Sequence, residues 1–273
     1  MKEEKMKLKK LALMTMAFGL LVTLAACGSS SKNQLTKIKD KGTLTVAVSP
    51  DYAPFEFQML KDGKNTVVGS DIDLANEIGK ALGVKVNIQA MDFNNVLASV
   101  TSGKADIAIS GISADEDRKK AYDFSDSYYS AQNVIVVKKN NQDSLAKLEA
   151  FKGKKIAAQK GSVQEKVATD QIKDASLVAL IKTGQAINEL KNGTVEGVVL
   201  EGPIAKSYVS ANPDLVISDI KLDSSDTDSY CVALPKKSDE LRTEINKVIK
   251  KLKATDAINK SVEKNFALAQ TAK

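Results

Sequence analysis

Histidine and tryptophan are missing from all 273 residues, cysteine occurs twice, at positions 27 and 231, and aromatic residues make up only 5% of the chain. Each scarcity closes a class of function. Without histidine the commonest general base and the commonest metal ligand are gone, and with them the Ser/His and Cys/His nucleophilic pairs. Two cysteines cannot build a cysteine metal cluster. With so few aromatics, the cores must be filled by Val, Ile, Leu and Ala. No catalytic residue, metal or cofactor is expected.

What is there begins with a leader. Lys2, Lys5, Lys7, Lys9 and Lys10 precede an uncharged run from Leu11 to Ala26, then small residues and Cys27. That order is a secretory export signal, and its apolar run is shorter than the roughly 20 residues needed to span a bilayer. Leu24-Ala25-Ala26-Cys27, followed by Gly28-Ser29-Ser30-Ser31-Lys32, resembles a bacterial lipobox, in which the cysteine receives a diacylglyceryl group. The resemblance implies a signal peptide over residues 1–26 and a lipidated tether over 27–34. The protein would be exported and held on the outer, extracellular face of the cell membrane by lipid alone. Cys231 then has no partner for an internal disulfide.

Removing the leader takes five lysines and two glutamates from totals of 40 basic and 34 acidic residues, leaving 35 against 32. The lysines are scattered among acids rather than gathered with aromatics, so no nucleic-acid partner is expected. About 240 residues remain, enough for two lobes of ordinary domain size.

The body alternates strands and helices. Leu44 to Val48 has strand composition. Asp71 to Leu82 spaces apolar residues by three and four and stops at Gly83, as a helix does. Val84, Val86 and Ile88 alternate as a strand, Val96, Leu97 and Val100 mark a helix ending at Gly103, and Ala105 to Ile109 forms the next strand. This βαβαβ order predicts a mostly parallel sheet covered by helices. After Val134 to Val137 a second series follows: helix 144–150, strand 155–158, helix from Ser162, helix 186–191, strand 195–200, helix from Pro203 and strand 215–218. Ser162 with Glu165 has the spacing of a capping box, and Pro203 suits a first helical turn. From Ser238 the chain is helical again, with Leu241, Ile245, Val248, Ile249 and Leu252 on one face.

Five blocks then give a specific resemblance. Asp51-Tyr52-Ala53-Pro54-Phe55-Glu56-Phe57, Gly69 to Ala75, Ser110-Gly111-Ile112-Ser113 through Arg118, Asp123-Phe124-Ser125-Asp126, and Gly153-Lys154-Lys155 through Gln159-Lys160-Gly161-Ser162 run in the order and spacing of polar amino-acid-binding proteins of ABC importers. The likeness covers nearly the whole mature chain. It implies the α/β, two-lobed type II periplasmic-binding-protein fold, each lobe a mixed or mostly parallel sheet flanked by helices, joined by a two-strand hinge. Lobe 1 would comprise 35–129 and 230–273, lobe 2 134–224, and the hinge 130–133 and 225–229. The implied role is that of a monomer that binds a free polar amino acid and delivers it to the permease subunits of an ABC transporter.

A free amino acid carries a carboxylate and an ammonium on one carbon, so its site needs a cation, an anion and hydrogen-bond partners close together. The planar fork of Arg118 can grip the carboxylate bidentately; on residues alone, pairing with Asp115 or Asp117 is the competing role. The resemblance adds the backbone N–H groups of Ser113 and Val163, the latter beside Ser162 at a helix start that favours an anion. For the ammonium it implies Glu201, with the Gly111 carbonyl and the Ser113 hydroxyl, and Ser110 beside them is a further ligand-binding candidate. Glu201 also stands where an acid could cap the helix at Pro203. Tyr52 and Phe93 match the aromatic walls around the ligand side chain. Ser49 occupies a position where relatives that hold cationic ligands often carry aspartate, and Gln159, Gln164 and Asp51 offer other polar contacts. Arginine or another basic ligand and a glutamine-like neutral one both stay open. So do two other classes: a surface lipoprotein acting as sensor or adhesin, and an exported lyase or dehydratase on the same fold, which without histidine would lack a second placed acid-base partner for Glu201.

Overall fold

The computed structural model describes residues 33–61, 63–223 and 229–271. The leader, Cys27 and most of the tether lie outside the described residues, as does all but the last residue of the hinge segment expected over 225–229.

Two five-stranded sheets organise the chain. In the first, the order is Lys85–Ala90, Thr43–Val48, Ile107–Ala108, Ala233–Pro235, Tyr122–Phe124; in the second it is Ser176–Leu180, Lys155–Gln159, Gly197–Glu201, Asn133–Lys138, Leu215–Ile217. The first three strands of each order run parallel, and the fourth is antiparallel to its neighbours. The central strands are buried along most of their length, as parallel strands with helices on both faces must be; Gly197–Glu201 is buried throughout. In both sheets the antiparallel strand is the one that arrives from the other lobe's side. Between the sheets, Tyr129–Ser130 pairs with Ser229–Tyr230.

Ser70–Leu82 shows how a helix of this chain is specified. Ile72, Leu74, Ala75, Ile78 and Leu82 fall on its buried face, Asp71 and Asp73 sit in the first turn where the helix dipole favours acid, and Gly83 ends it in the left-handed region. Burying each large aliphatic side chain contributes roughly 1.5–3 kcal/mol. Gly69 before it must be glycine: its φ is 136°, and a Cβ there would lie 1.9 Å from the Phe55 carbonyl oxygen. That close approach fixes where Asp71 enters the core.

Several expected elements differ in detail. The helix predicted over 144–150 is a pair of 3-10 turns, Asp143–Leu145 and Leu148–Phe151. Leu145 and Phe151, one from each turn, are both buried in one small core, and the extended Lys147 between the turns breaks the helix. The helix predicted over 186–191 starts at Thr183. Ser176–Leu180 and the hairpin of Glu56–Lys61 with Lys64–Val68 are additional strands. The C-terminal helical region is two helices, Asp239–Ala254 and Ala257–Ala269, broken at Asp256 with φ 55°. Finally, Ser162 does not cap its helix. Its hydroxyl donates back to the Gln159 carbonyl at 2.6 Å, while Glu165 accepts from Gly161 N–H. The reciprocal capping box is therefore not formed, and the side chains that could have covered the helix start are turned elsewhere.

Candidate functional site

Strands that are equivalent in the two sheets end at one cavity. Thr43–Val48 leads into Ser49 and Tyr52, Ile107–Ala108 into Gly111 and Ser113, Lys155–Gln159 into Ser162, and Gly197–Glu201 ends on Glu201 itself. The cavity is narrow and is lined by Ser49, Tyr52, Glu56, Phe93, Gly111, Ser113, Arg118, Gln159, Ser162, Val163, Gln164 and Glu201. A crevice at the carboxyl ends of open-sheet strands is where such folds bind ligands.

Arg118 stands on the short helix Glu116–Ala121, whose first N–H groups are capped by Asp115. Its guanidinium donates to the Ser113 carbonyl at 2.8 Å and, across the lobes, to the Gly161 carbonyl at 2.9 Å; Nε lies 3.4 Å from Asp115. Two of the five guanidinium N–H donors are thus taken by carbonyl groups, with Asp115 alongside as a charge partner, and the fork keeps donors for an anion. The side chain is 11% exposed, and burial lowers its pKa while Asp115 opposes the shift. It stays a cation, because arginine starts so high. The carbon of the guanidinium also sits 5.9 Å from the centre of the Phe93 ring. Of the two competing partners, Asp115 does touch Arg118, whereas Asp117 pairs with Lys120 at 2.6 Å.

Glu201 is buried, and its side chain makes no cap bond to the helix Gly202–Ala211 that follows. It faces the cavity from the lobe opposite Arg118. Tyr52, Phe93, Gly111, Ser113, Gln159, Ser162 and Val163 line the same space, so nine of the ten residues picked from the sequence come together. Tyr52 belongs to the short strand Asp51–Tyr52. Gly111 has φ 53°, and a Cβ on it would meet the Tyr52 ring at 3.1 Å; glycine lets the ring lie against the backbone. Ser110 is the exception. It is buried under the site, where its hydroxyl donates to Glu56 at 2.6 Å and accepts from Ser49 N–H at 3.0 Å.

Glu56 is the cavity residue that sequence reading missed; Ser49 and Gln164, the latter expected as a polar contact, line the cavity as well. The signal was present: an acid between two core aromatics, Phe55 and Phe57, is costly to bury without a purpose. Burial first, and the neighbouring carboxylate of Asp71 second, raise the Glu56 pKa well above the usual range. Beneath it Phe55 packs edge-on against Tyr129 and Tyr230, with ring centres 5.0 and 4.9 Å apart. Tyr230 thereby joins the Tyr129–Ser130 ladder to the cavity floor, and it also bridges to Ser113. Cys231 is buried beside it with its thiol pKa pushed up to about 11 by burial, which keeps the thiol protonated and unreactive. Asp51, expected as a polar contact, lies at the cavity's edge. Its carboxylate accepts from the Thr183 N–H of the opposite lobe at 2.8 Å and from the Ser49 hydroxyl at 3.2 Å.

Two α/β lobes closing on a cavity with a cation on one wall and carboxyls on the others define a small-molecule binding protein. Residues 44–267 match the family of bacterial extracellular solute-binding proteins, family 3, and the chain belongs to it. It is 32% identical to the arginine-binding extracellular protein ArtP of Bacillus subtilis over 268 residues, covering 95% of this chain and 98% of the relative. It is 47% identical, with a TM-score of 0.84, to an amino acid ABC transporter substrate-binding protein AbpA from Streptococcus pneumoniae bound to L-arginine, covering 87% of this chain and all of that one. An ancestral arginine-binding protein bound to glutamine is 38% identical with a TM-score of 0.74, over 82% of this chain and 98% of the other. The chain thus has the type II periplasmic-binding-protein fold that its sequence blocks implied.

Proposed function

We propose that this protein captures a free amino acid with a cationic side chain, arginine first, outside the membrane and delivers it to the permease of an ABC importer. One observation carries the choice: the cavity sets one arginine, Arg118, against two buried carboxyls, Glu201 and Glu56. Arginine brings one carboxylate, one ammonium and one guanidinium, so the charges match one for one. In this reading Arg118 grips the carboxylate together with the N–H groups of Ser113 and Val163, Glu201 takes the ammonium, and Glu56 takes the side-chain cation between Tyr52 and Phe93. Glu56 supplies the acid that Ser49 lacks.

Binding brings the lobes together, since the carboxylate and ammonium partners stand on opposite walls. The lobe boundaries are those given by the sequence, 35–129 with 230–273 and 134–224, and the hinge runs through 130–133 and 225–229. Lipidation of Cys27 anchors a monomer to the membrane face. The family is one of transport proteins, and we read this member as no enzyme, although Glu56 and Glu201 do put two acids on one cavity. Calorimetric titration of the chain from Gly28 onward with each of the twenty amino acids tests the reading. Tight binding of arginine, recovered chemically unchanged, is expected; binding of neutral amino acids alone, or conversion of the ligand, would refute it.

A further inference from the structure

Glu56 does not stand alone. Asp71, at the start of the Ser70–Leu82 helix, is likewise without exposed surface, and the two carboxyls act directly on each other. One oxygen of Glu56 accepts from Ser110, and one oxygen of Asp71 accepts from the Gly111 N–H at 3.0 Å and the Tyr128 hydroxyl at 2.8 Å. The second oxygen of each, Glu56 Oε2 and Asp71 Oδ1, is buried and meets no donor from any other group, and the two side chains are placed to share a hydrogen bond, which needs a proton on one of them. The titratable groups facing the pair are Asp51 toward Glu56, the Tyr128 hydroxyl on Asp71, and the Tyr230 hydroxyl, which feels both carboxyls and Glu201. None of these is a cation; Arg118 stands elsewhere on the cavity wall, directed at Ser113, Gly161 and Asp115. Two carboxylates this close in a dry site do not both ionise without one.

The pair lies between two concavities. Glu56 lines the ligand cavity, whereas Asp71 lines a separate groove with Ser70, Tyr128, Leu252 and Ile258 on the outer side of the same lobe. We propose that Asp71 is a positioning residue that keeps one proton on the Glu56–Asp71 pair in the empty protein, and that an arriving cationic side chain displaces this proton through the outer groove to solvent. This rests on the reading that the ligand is cationic. The balance is simple: the O–H bond of the neutral carboxyl breaks, the proton passes to a buffer base, and the ligand's positive charge takes its place beside the carboxylates. A neutral side chain of similar shape leaves the proton where it is and accepts a hydrogen bond from it. Charge selection then depends on pH. Affinity for a cation rises as pH rises, because the free protein holds more protons than the complex, by at most about tenfold per pH unit for one proton.

The experiment is calorimetric titration of the purified full chain with L-arginine and with its neutral analogue L-citrulline, between pH 6 and 8, in buffers of different ionisation enthalpy. About one proton should leave per arginine and none per citrulline, so only the arginine heats should depend on the buffer. Asp71→Asn, which removes the second charge but keeps an acceptor for Gly111 and Tyr128, should reduce the protons released at pH 7 while arginine still binds. A merely structural role for Asp71 would change the melting temperature and not the proton count. Arginine binding with buffer-independent heat and pH-independent affinity overturns the proton displacement and leaves the cationic ligand standing. Failure of arginine to bind where another amino acid binds overturns both. The parent protein alone decides these outcomes should Asp71→Asn fail to fold.

Discussion

Lobe 1 and lobe 2 are built on the same sheet order and do different work. Both bring a central strand, a third strand and their following loops to the cavity, and both receive one antiparallel strand from the other side. Yet the charge is distributed unequally. Lobe 1 buries Glu56, Asp71 and Asp106 and holds Arg118 through neighbouring carbonyl groups, whereas the buried acid of lobe 2 is Glu201, accompanied by the neutral Gln159 and Gln164. The same topology offers the same places for residues, but the electrostatic chemistry is concentrated on one side. Lobe 2 contributes the partner that completes the charge pattern and the backbone that touches lobe 1 at Gly161 and Thr183.

The comparison breaks most sharply at Arg118, which belongs to lobe 1 and donates to lobe 2. Arg118→Ala removes the cation of the cavity and the bond to Gly161 together. Truncating one member of a buried charge pair costs about 2–5 kcal/mol, so amino-acid affinity should fall by at least about thirtyfold. Far-ultraviolet circular dichroism should be unchanged, because the helix that carries it is short and exposed. Affinity within a few-fold of the parent by calorimetry would place the ligand carboxylate elsewhere.

Much of this difference could be read from the sequence, and the parts that could not have physical causes. Ser70–Leu82 announced itself by apolar spacing and a terminal glycine, and Thr43–Val48 by its strand composition. The Glu56–Lys61 and Lys64–Val68 hairpin did not, because Gln58, Lys61, Lys64 and Asn65 are exposed and dilute the alternation. Ser176–Leu180 is a short edge strand with Ser176, Leu177 and Ala179 exposed, so it carries little burial signal. The 3-10 turns at 143–151 were mistaken for an α-helix because a few apolar residues fit either period. Arg118 and Glu201 were legible through their motifs. Glu56 was legible only through its neighbours Phe55 and Phe57, since a buried acid and a surface acid otherwise look alike in a strand, and Ser110 looked like a contact because it adjoins Gly111.

A smaller effect is expected at the seam between the lobes. The helix Thr183–Asn192 has no cap from its own preceding side chain; Asp51, from lobe 1, accepts its first N–H instead. A cap of this kind contributes about 1 kcal/mol, and here it exists only while the lobes touch. Asp51→Ala should therefore leave each lobe folded, weaken ligand affinity several-fold and speed ligand release, while Asp51→Asn, which retains an acceptor, should fall between. Stopped-flow release of bound arginine, with one fluorophore on each lobe, reads both rate and distance. Unaltered release from Asp51→Ala would show that the seam forms too late or too weakly to hold the ligand.

The smallest effect concerns what the acid pair of lobe 1 does to folding itself. Burial raises the Glu56 pKa well above its unfolded value and pushes that of Asp71 up to about 6. A group whose pKa is raised on folding contributes stability that is full below its unfolded pKa and is lost as pH climbs through the folded one. The pair therefore costs stability at neutral pH and less in mild acid, opposite in sign to Asp123, whose pKa is lowered through its bonds to the Ser238 and Lys237 backbone and Lys236. Glu56→Gln removes one charge while keeping an acceptor for Ser110. It should melt higher than the parent at pH 7.5, by about 2–4 °C if the difference is about 1 kcal/mol, and the gap should close toward pH 5 as the parent's carboxyls take up protons. Ligand-free calorimetric melts of both proteins across that range measure it. Parallel curves would mean that the pair holds the same number of protons folded and unfolded, and the contrast between the lobes would then be one of shape without an electrostatic cost.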